Sequence, residues 1–122
     1  AGDFVEGIWK MMQNKQPKDY VLATGEEHSV KEFADLAAKM VGFNLTWKGS
    51  KHNEYAVDKN TNKIIIKKNQ EYNRPADVSF LKGDSTKAKK ELGWKPKVKF
   101  KELVKLMIEN DKKKSLKGKI IQ

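Results

Sequence analysis

Ser29-Val30-Lys31-Glu32-Phe33-Ala34-Asp35-Leu36-Ala37-Ala38-Lys39-Met40-Val41-Gly42 is the stretch on which the fold turns. Its S-x-x-E opening has the spacing of a capping box, in which a serine hydroxyl and a glutamate carboxylate satisfy amide donors left open at a helix start. Phe33, Leu36, Ala37, Met40 and Val41 then keep the rhythm of one apolar helix face until Gly42 ends it.

Upstream, Asp19-Tyr20-Val21-Leu22-Ala23 is rich in residues that suit a pleated surface and is broken by Thr24-Gly25, so a short strand is expected there. Before it, Phe4/Val5, Ile8/Trp9 and Met12 mark an amphipathic helix with one packed face, ending before Pro17. Downstream, residues 44–47 and 64–67 read as two strands. The polar stretch between them, with Gly49, Asn53, Asp58, Asn60 and Asn62, is open to two readings, a hairpin or a flexible insertion. Asp84 or Ser85 caps a short helix through Leu92, stopped by Gly93 with Pro96 beyond. Phe100, Leu103, Val104, Met107 and Ile108 mark a final amphipathic helix. The fold class is therefore α/β, a small mixed unit of about four helices and three strands, without the regular alternation of a complete parallel sheet.

At 122 residues the chain has room for one domain. Hydrophobic residues at 38% against 34% charged give a thin core. The longest purely aliphatic run is Ile64-Ile65-Ile66, far from the ~20 apolar residues of a membrane span. Cysteine is absent, which removes disulfides and thiol chemistry, and His28 and His52 have no partner at metal-ligand spacing. The chain opens Ala1-Gly2-Asp3, with neither an initiator methionine nor a secretory pattern, so a piece of a longer, cytoplasmic protein is expected.

The net charge of +10 is uneven: residues 1–60 carry 8 lysines against 9 acidic groups, residues 61–122 carry 18 basic groups against 7. The lysines punctuate apolar positions or gather in Lys112-Lys113-Lys114, which reads as a solvated face and a frayed Lys-rich tail at 112–122 behind a domain at 1–111. A nucleic-acid or polyanion-binding module is the alternative, weakened because aromatic residues do not interleave with the lysines. Of 26 basic residues only Arg74 is arginine, the side chain whose planar fork grips phosphate or carboxylate with two bonds at once.

Several chemistries are missing. The glycines at 2, 7, 25, 42, 49, 83, 93 and 118 contain no G-x-G pair and no phosphate-loop spacing. Ser29 beside His28 is better explained as a helix cap than as a nucleophile, and Tyr55 with Lys59 matches Tyr-x-x-x-Lys in a segment that looks like loop. No catalytic residue is assigned.

Tyr72-Asn73-Arg74-Pro75-Ala76-Asp77-Val78 places the single arginine before a proline, which biases it toward extended backbone, with a carboxylate three residues on. Two readings stand. Arg74 and Asp77 form a local salt bridge, or the guanidinium takes phosphate oxygens while Asp77 accepts from sugar hydroxyls.

Several separated motifs then act together. Asp3-Phe4-Val5-Glu6 with Trp9 and Met12, the run Tyr20 to Phe33 through Ala23-Thr24-Gly25-Glu26 and His28-Ser29-Val30, Arg74-Pro75-Ala76-Asp77-Val78, Gly83-Asp84 with Thr86-Lys87-Ala88-Lys89, and Leu92-Gly93-Trp94-Lys95-Pro96 stand in family order. Over residues 1 to about 111 the chain resembles the C-terminal portion of the GDP-mannose 4,6-dehydratase family, extended short-chain dehydrogenases/reductases. The resemblance implies that an N-terminal Rossmann domain, absent from these residues, binds NADP and carries the reactive groups that turn GDP-mannose into GDP-4-keto-6-deoxymannose, a lyase reaction on the way to GDP-fucose. It implies that this portion supplies the nucleotide-sugar side of the cleft, with Arg74 on the diphosphate and Asp77 on the ribose, and that the chain alone is inert and binds GDP-mannose weakly. Thr24, Glu26 and His28 match family positions but are read as structure. Asn73 stands where the family has an aromatic residue, Asp77 where it has glutamate, and Tyr55-Ala56 where a glycine follows the acid aligned with Glu54. The Phe4/Ile8/Trp9 face, lacking its usual cover, is a candidate for self-association into a homo-oligomer.

Overall fold

The computed structural model describes residues 1–118. Its elements are α1 (Gly2–Met12), α2 (Val30–Met40), β1 (Leu45–Lys48), β2 (Tyr55–Asp58), β3 (Ile64–Lys67), a 3-10 turn (Gln70–Tyr72), α3 (Thr86–Leu92) and α4 (Phe100–Leu116). The described residues thus form a small mixed α/β unit with four α-helices and three strands, the expected class.

Ser29 caps α2 as its spacing requires. The Glu32 amide donates to the Ser29 hydroxyl at 3.1 Å, and the Ser29 amide donates to the Glu32 carboxylate at 2.7 Å. Gly93 closes α3 in the left-handed region at φ 63°, a conformation without cost only for glycine. The strands form an antiparallel meander in the order β1-β2-β3, with Trp47 opposite Ala56 and Ala56 opposite Ile66. The central strand contributes Ala56 and Val57 to the core.

Three expectations are corrected and one open reading is settled. Residues 19–23 have no ladder partner among the described residues and run as irregular chain. Strand propensity is a local preference, whereas a strand exists only through a neighbour's amides and carbonyls. In its place the third strand is β2, inside the polar stretch that was open between hairpin and insertion. Helix α4 continues through Lys112, Lys113 and Lys114 to Leu116, where a frayed tail was expected at 112–122; residues 119–122 of that tail lie outside the described residues. Lysine is a good helix former, and Lys113 and Lys114 lie in the last turn, where the helix dipole favours cations. Lastly, the stripe expected to pack α1 is largely uncovered: Ile8, Trp9 and Met12 are 52%, 60% and 76% exposed. The covered side of α1 centres on Gly7, whose missing side chain lets Leu22 and Trp94 approach the helix backbone.

The chain divides into two compact units. In the first, residues 1–28 with 78–102, the core residue is Trp94, fully buried, with its indole N–H donating to the Asp3 carbonyl oxygen at 2.7 Å and Phe4 tilted against its ring. The Asp3 carboxylate accepts the amides of Lys97 and Val98 at 2.8 and 2.9 Å, which ties the Leu-Gly-Trp-Lys-Pro segment to the start of α1. In the second, residues 29–77 with 103–122, Ala38, Ala56, Val57 and Val104 are buried. The Trp47 indole N–H donates to Asp35 at 2.7 Å and so joins β1 to α2.

Candidate functional site

Strand β3 delivers the chain to the segment that holds the single arginine. Immediately after it, the Lys68 amide donates to the Glu54 carbonyl at 3.1 Å and extends the pairing of β3 with β2 by one step. Asn69 then caps the 3-10 turn, its side chain accepting from the Glu71 amide at 3.1 Å. Asn73 leaves that turn extended, at φ −72° and ψ 129°, as suits a chain about to enter the Arg74-Pro75 pair.

Arg74 and Asp77 both lie on the exposed, irregular segment that follows. Three residues separate them, at most about 10 Å of extended chain. Arg74 is exposed and takes part in no ion pair or hydrogen bond among the described residues. Of the two readings of this arginine, the local salt bridge is therefore not the one formed. Neighbouring apolar side chains share the exposure: Tyr72 is 79% exposed and Phe80 80%.

Among the other family-matched positions, His28, Glu26 and Asp84 make local contacts. His28 stacks on Phe100 with ring centroids 3.8 Å apart and shares a hydrogen bond with Glu26 at 3.2 Å. Asp84 accepts from the Thr86 amide at 2.9 Å and from its hydroxyl, which fixes the start of α3 and holds the Asp84 carboxyl below the usual range. Tyr55 and Lys59 sit at the start of β2 and in the turn after it, not one helical turn apart.

Beside α2 and the sheet, Lys31 pairs with Glu54 and lies over the Trp47 ring at 4.8 Å. The hydrogen bond from Lys31 is the main reason the Glu54 carboxyl is held below the ordinary glutamate range. A concavity of about 310 Å³ opens there, with Ile66 and Lys68 also on its wall. A second polar cluster was not legible in the sequence: the Lys68 ammonium donates to the Lys51 carbonyl at 2.7 Å, and the Gln70 side-chain amide donates to Asn53 Oδ1 at 3.2 Å. The turn signals at Gly49 and Asn53 were its only local trace.

The sheet is antiparallel throughout, so it offers no strand-to-helix crossover at a parallel pair, and no two glycines stand at G-x-G spacing. Among the described residues no helix is long and apolar enough to cross a membrane.

Fold and segment define a small mixed α/β unit with an open, arginine-bearing loop behind an antiparallel meander. Residues 1–107 match the family model described as GDP-mannose 4,6 dehydratase. The chain is 46% identical over 111 residues to the human GDP-mannose 4,6 dehydratase and 46% identical over 111 residues to that of Drosophila melanogaster. It is 44% identical over 121 residues to GDP-mannose 4,6 dehydratase 1 of Arabidopsis thaliana. These alignments cover 91%, 91% and 99% of the chain, but only 30%, 28% and 29% of the three relatives. The chain belongs to the GDP-mannose 4,6-dehydratase family, and it spans about 30% of the length of the relatives it matches.

Proposed function

We propose that this chain is the nucleotide-sugar-binding portion of a GDP-mannose 4,6-dehydratase, the NADP-dependent lyase that converts GDP-mannose to GDP-4-keto-6-deoxymannose with loss of water. The observation that carries the reading is Arg74: the one arginine among 26 basic residues is exposed, uncommitted and set in the family-matched Arg-Pro segment. Its guanidinium takes diphosphate oxygens by charge-assisted bonds, and Asp77 accepts from the ribose hydroxyls. Both are binding groups. The redox and elimination steps belong to residues outside this chain, which is inert by itself. A chain without cysteine makes no demand on an oxidising compartment and suits a cytoplasmic setting.

One open wall of a cleft holds a ligand poorly, because ordering costs are met by few contacts. GDP affinity near the millimolar range, roughly −4 kcal/mol, is the expectation. Calorimetry of GDP into the wild type and Arg74→Ala tests it, alongside an assay for GDP-mannose turnover. Loss of a charge-assisted bond of about 1.5–3 kcal/mol should remove detectable binding in the variant. Unchanged binding by Arg74→Ala contradicts the site, and turnover by the chain alone contradicts its inertness.

A further inference from the structure

We infer that the turn joining β1 to β2 is the positioning device for Arg74, acting from Asn53 through Gln70. This deepens the proposed function and rests on its reading of Arg74 as the diphosphate ligand.

Arg74 has no partner among the described residues to hold it, so its placement is inherited from the chain before it. That chain is tied down step by step. Gly49 sits at φ 92°, and a Cβ there would collide with the Asn53 carbonyl, so glycine is what lets the turn close. The closure is sealed by the Asn53 amide donating to the Ser50 carbonyl at 2.9 Å. The closed turn then presents three acceptors to the end of β3: the Lys51 carbonyl for the Lys68 ammonium, the Glu54 carbonyl for the Lys68 amide, and Asn53 Oδ1 for the Gln70 side chain. Gln70 is the first residue of the 3-10 turn, and its own carbonyl accepts the Asn73 amide at 3.0 Å. Asn73 is the residue before Arg74. One side-chain bond thus anchors the turn whose far end leads into the Arg74 backbone. Asn53 and Gln70 are positioning residues; neither touches the nucleotide.

The test uses the ¹⁵N-labelled 122-residue chain. The heteronuclear NOE of the Arg74 backbone amide reports the order of the loop, and the single arginine gives a single Nε–Hε resonance that reports its titration with GDP. Asn53→Ala and Gln70→Ala should each lower the heteronuclear NOE at Arg74 and weaken GDP binding roughly fivefold, the effect of one neutral hydrogen bond. The double variant should be no worse than either single one, since both break the same link. Asn53→Asp keeps the acceptor and should restore wild-type behaviour. Amide shifts at Leu45 and Asp58, at the far end of the β1–β2 pair, should stay unchanged in every variant. Wild-type NOE and GDP affinity in Asn53→Ala and Gln70→Ala, with binding abolished in Arg74→Ala, overturn the positioning role and leave the site reading intact. Wild-type binding in Arg74→Ala overturns both.

Discussion

Asp58 Oδ1 accepts the amide of Asn44 at 3.0 Å, which bonds the end of β2 to the residue preceding β1. The other carboxylate oxygen takes the amide and hydroxyl of Thr61 at 3.1 and 2.8 Å, closing the turn into β3. Asp58 is 2% exposed, so the carboxylate is held by neutral donors away from water. These bonds, the Asn44 amide first, keep its carboxyl below the usual aspartate range despite the opposing effect of burial.

A carboxyl depressed in the folded state stabilises above its unfolded pKa, about 3.9, and loses that contribution as pH falls through its lower folded value. The meander should therefore weaken progressively below about pH 4. Asp58→Asn should be less stable at neutral pH and lack this share of the acid loss. The surface pairs of Glu6 with Lys97 and Glu91 with Lys18 also depress carboxyls, but salt screens them. Asp84 is depressed by Thr86 hydrogen bonds that salt leaves intact, so the Asp58 contribution is read from the difference between wild type and Asp58→Asn in urea denaturation from pH 2 to 7 at high salt; parallel curves for the two would refute it.

Trp94→Ala should cost about 3–5 kcal/mol, as for other large-to-small changes at fully buried aromatics. Trp94→Phe should cost less, because it keeps most of the ring contact with Phe4 and loses the bond to the Asp3 carbonyl. Equal losses for the two variants, measured by urea midpoints, would show that the hydrogen bond outweighs packing in this unit.

Ser29→Ala should lower stability by about 1 kcal/mol, since it strips the cap of α2, while Ser29→Asp retains an acceptor and stays near the wild type. Amide exchange through residues 30–33 locates the effect. Exchange as slow as wild type in Ser29→Ala would mean that tertiary packing alone holds the first turn.

The features legible in the sequence are those written within a few residues. The capping box at Ser29 and the left-handed stop at Gly93 involve neighbours along the chain, and both form as expected. Tyr20 to Ala23 reads as a strand and Tyr55 to Asp58 falls in the polar stretch left open between hairpin and insertion, yet only the second finds partners on both edges. Arg74 stood out by composition and motif. The link from Asn53 to Gln70 spans 17 residues and follows no local pattern, so it became visible only once β1, β2 and β3 were in register.

The most direct measurement is a GDP titration followed at the lone arginine Nε–Hε resonance, with guanosine as control. If the guanidinium receives the diphosphate, GDP shifts and sharpens that signal and guanosine leaves it in place. An arginine signal indifferent to GDP at concentrations that perturb other residues would contradict the site.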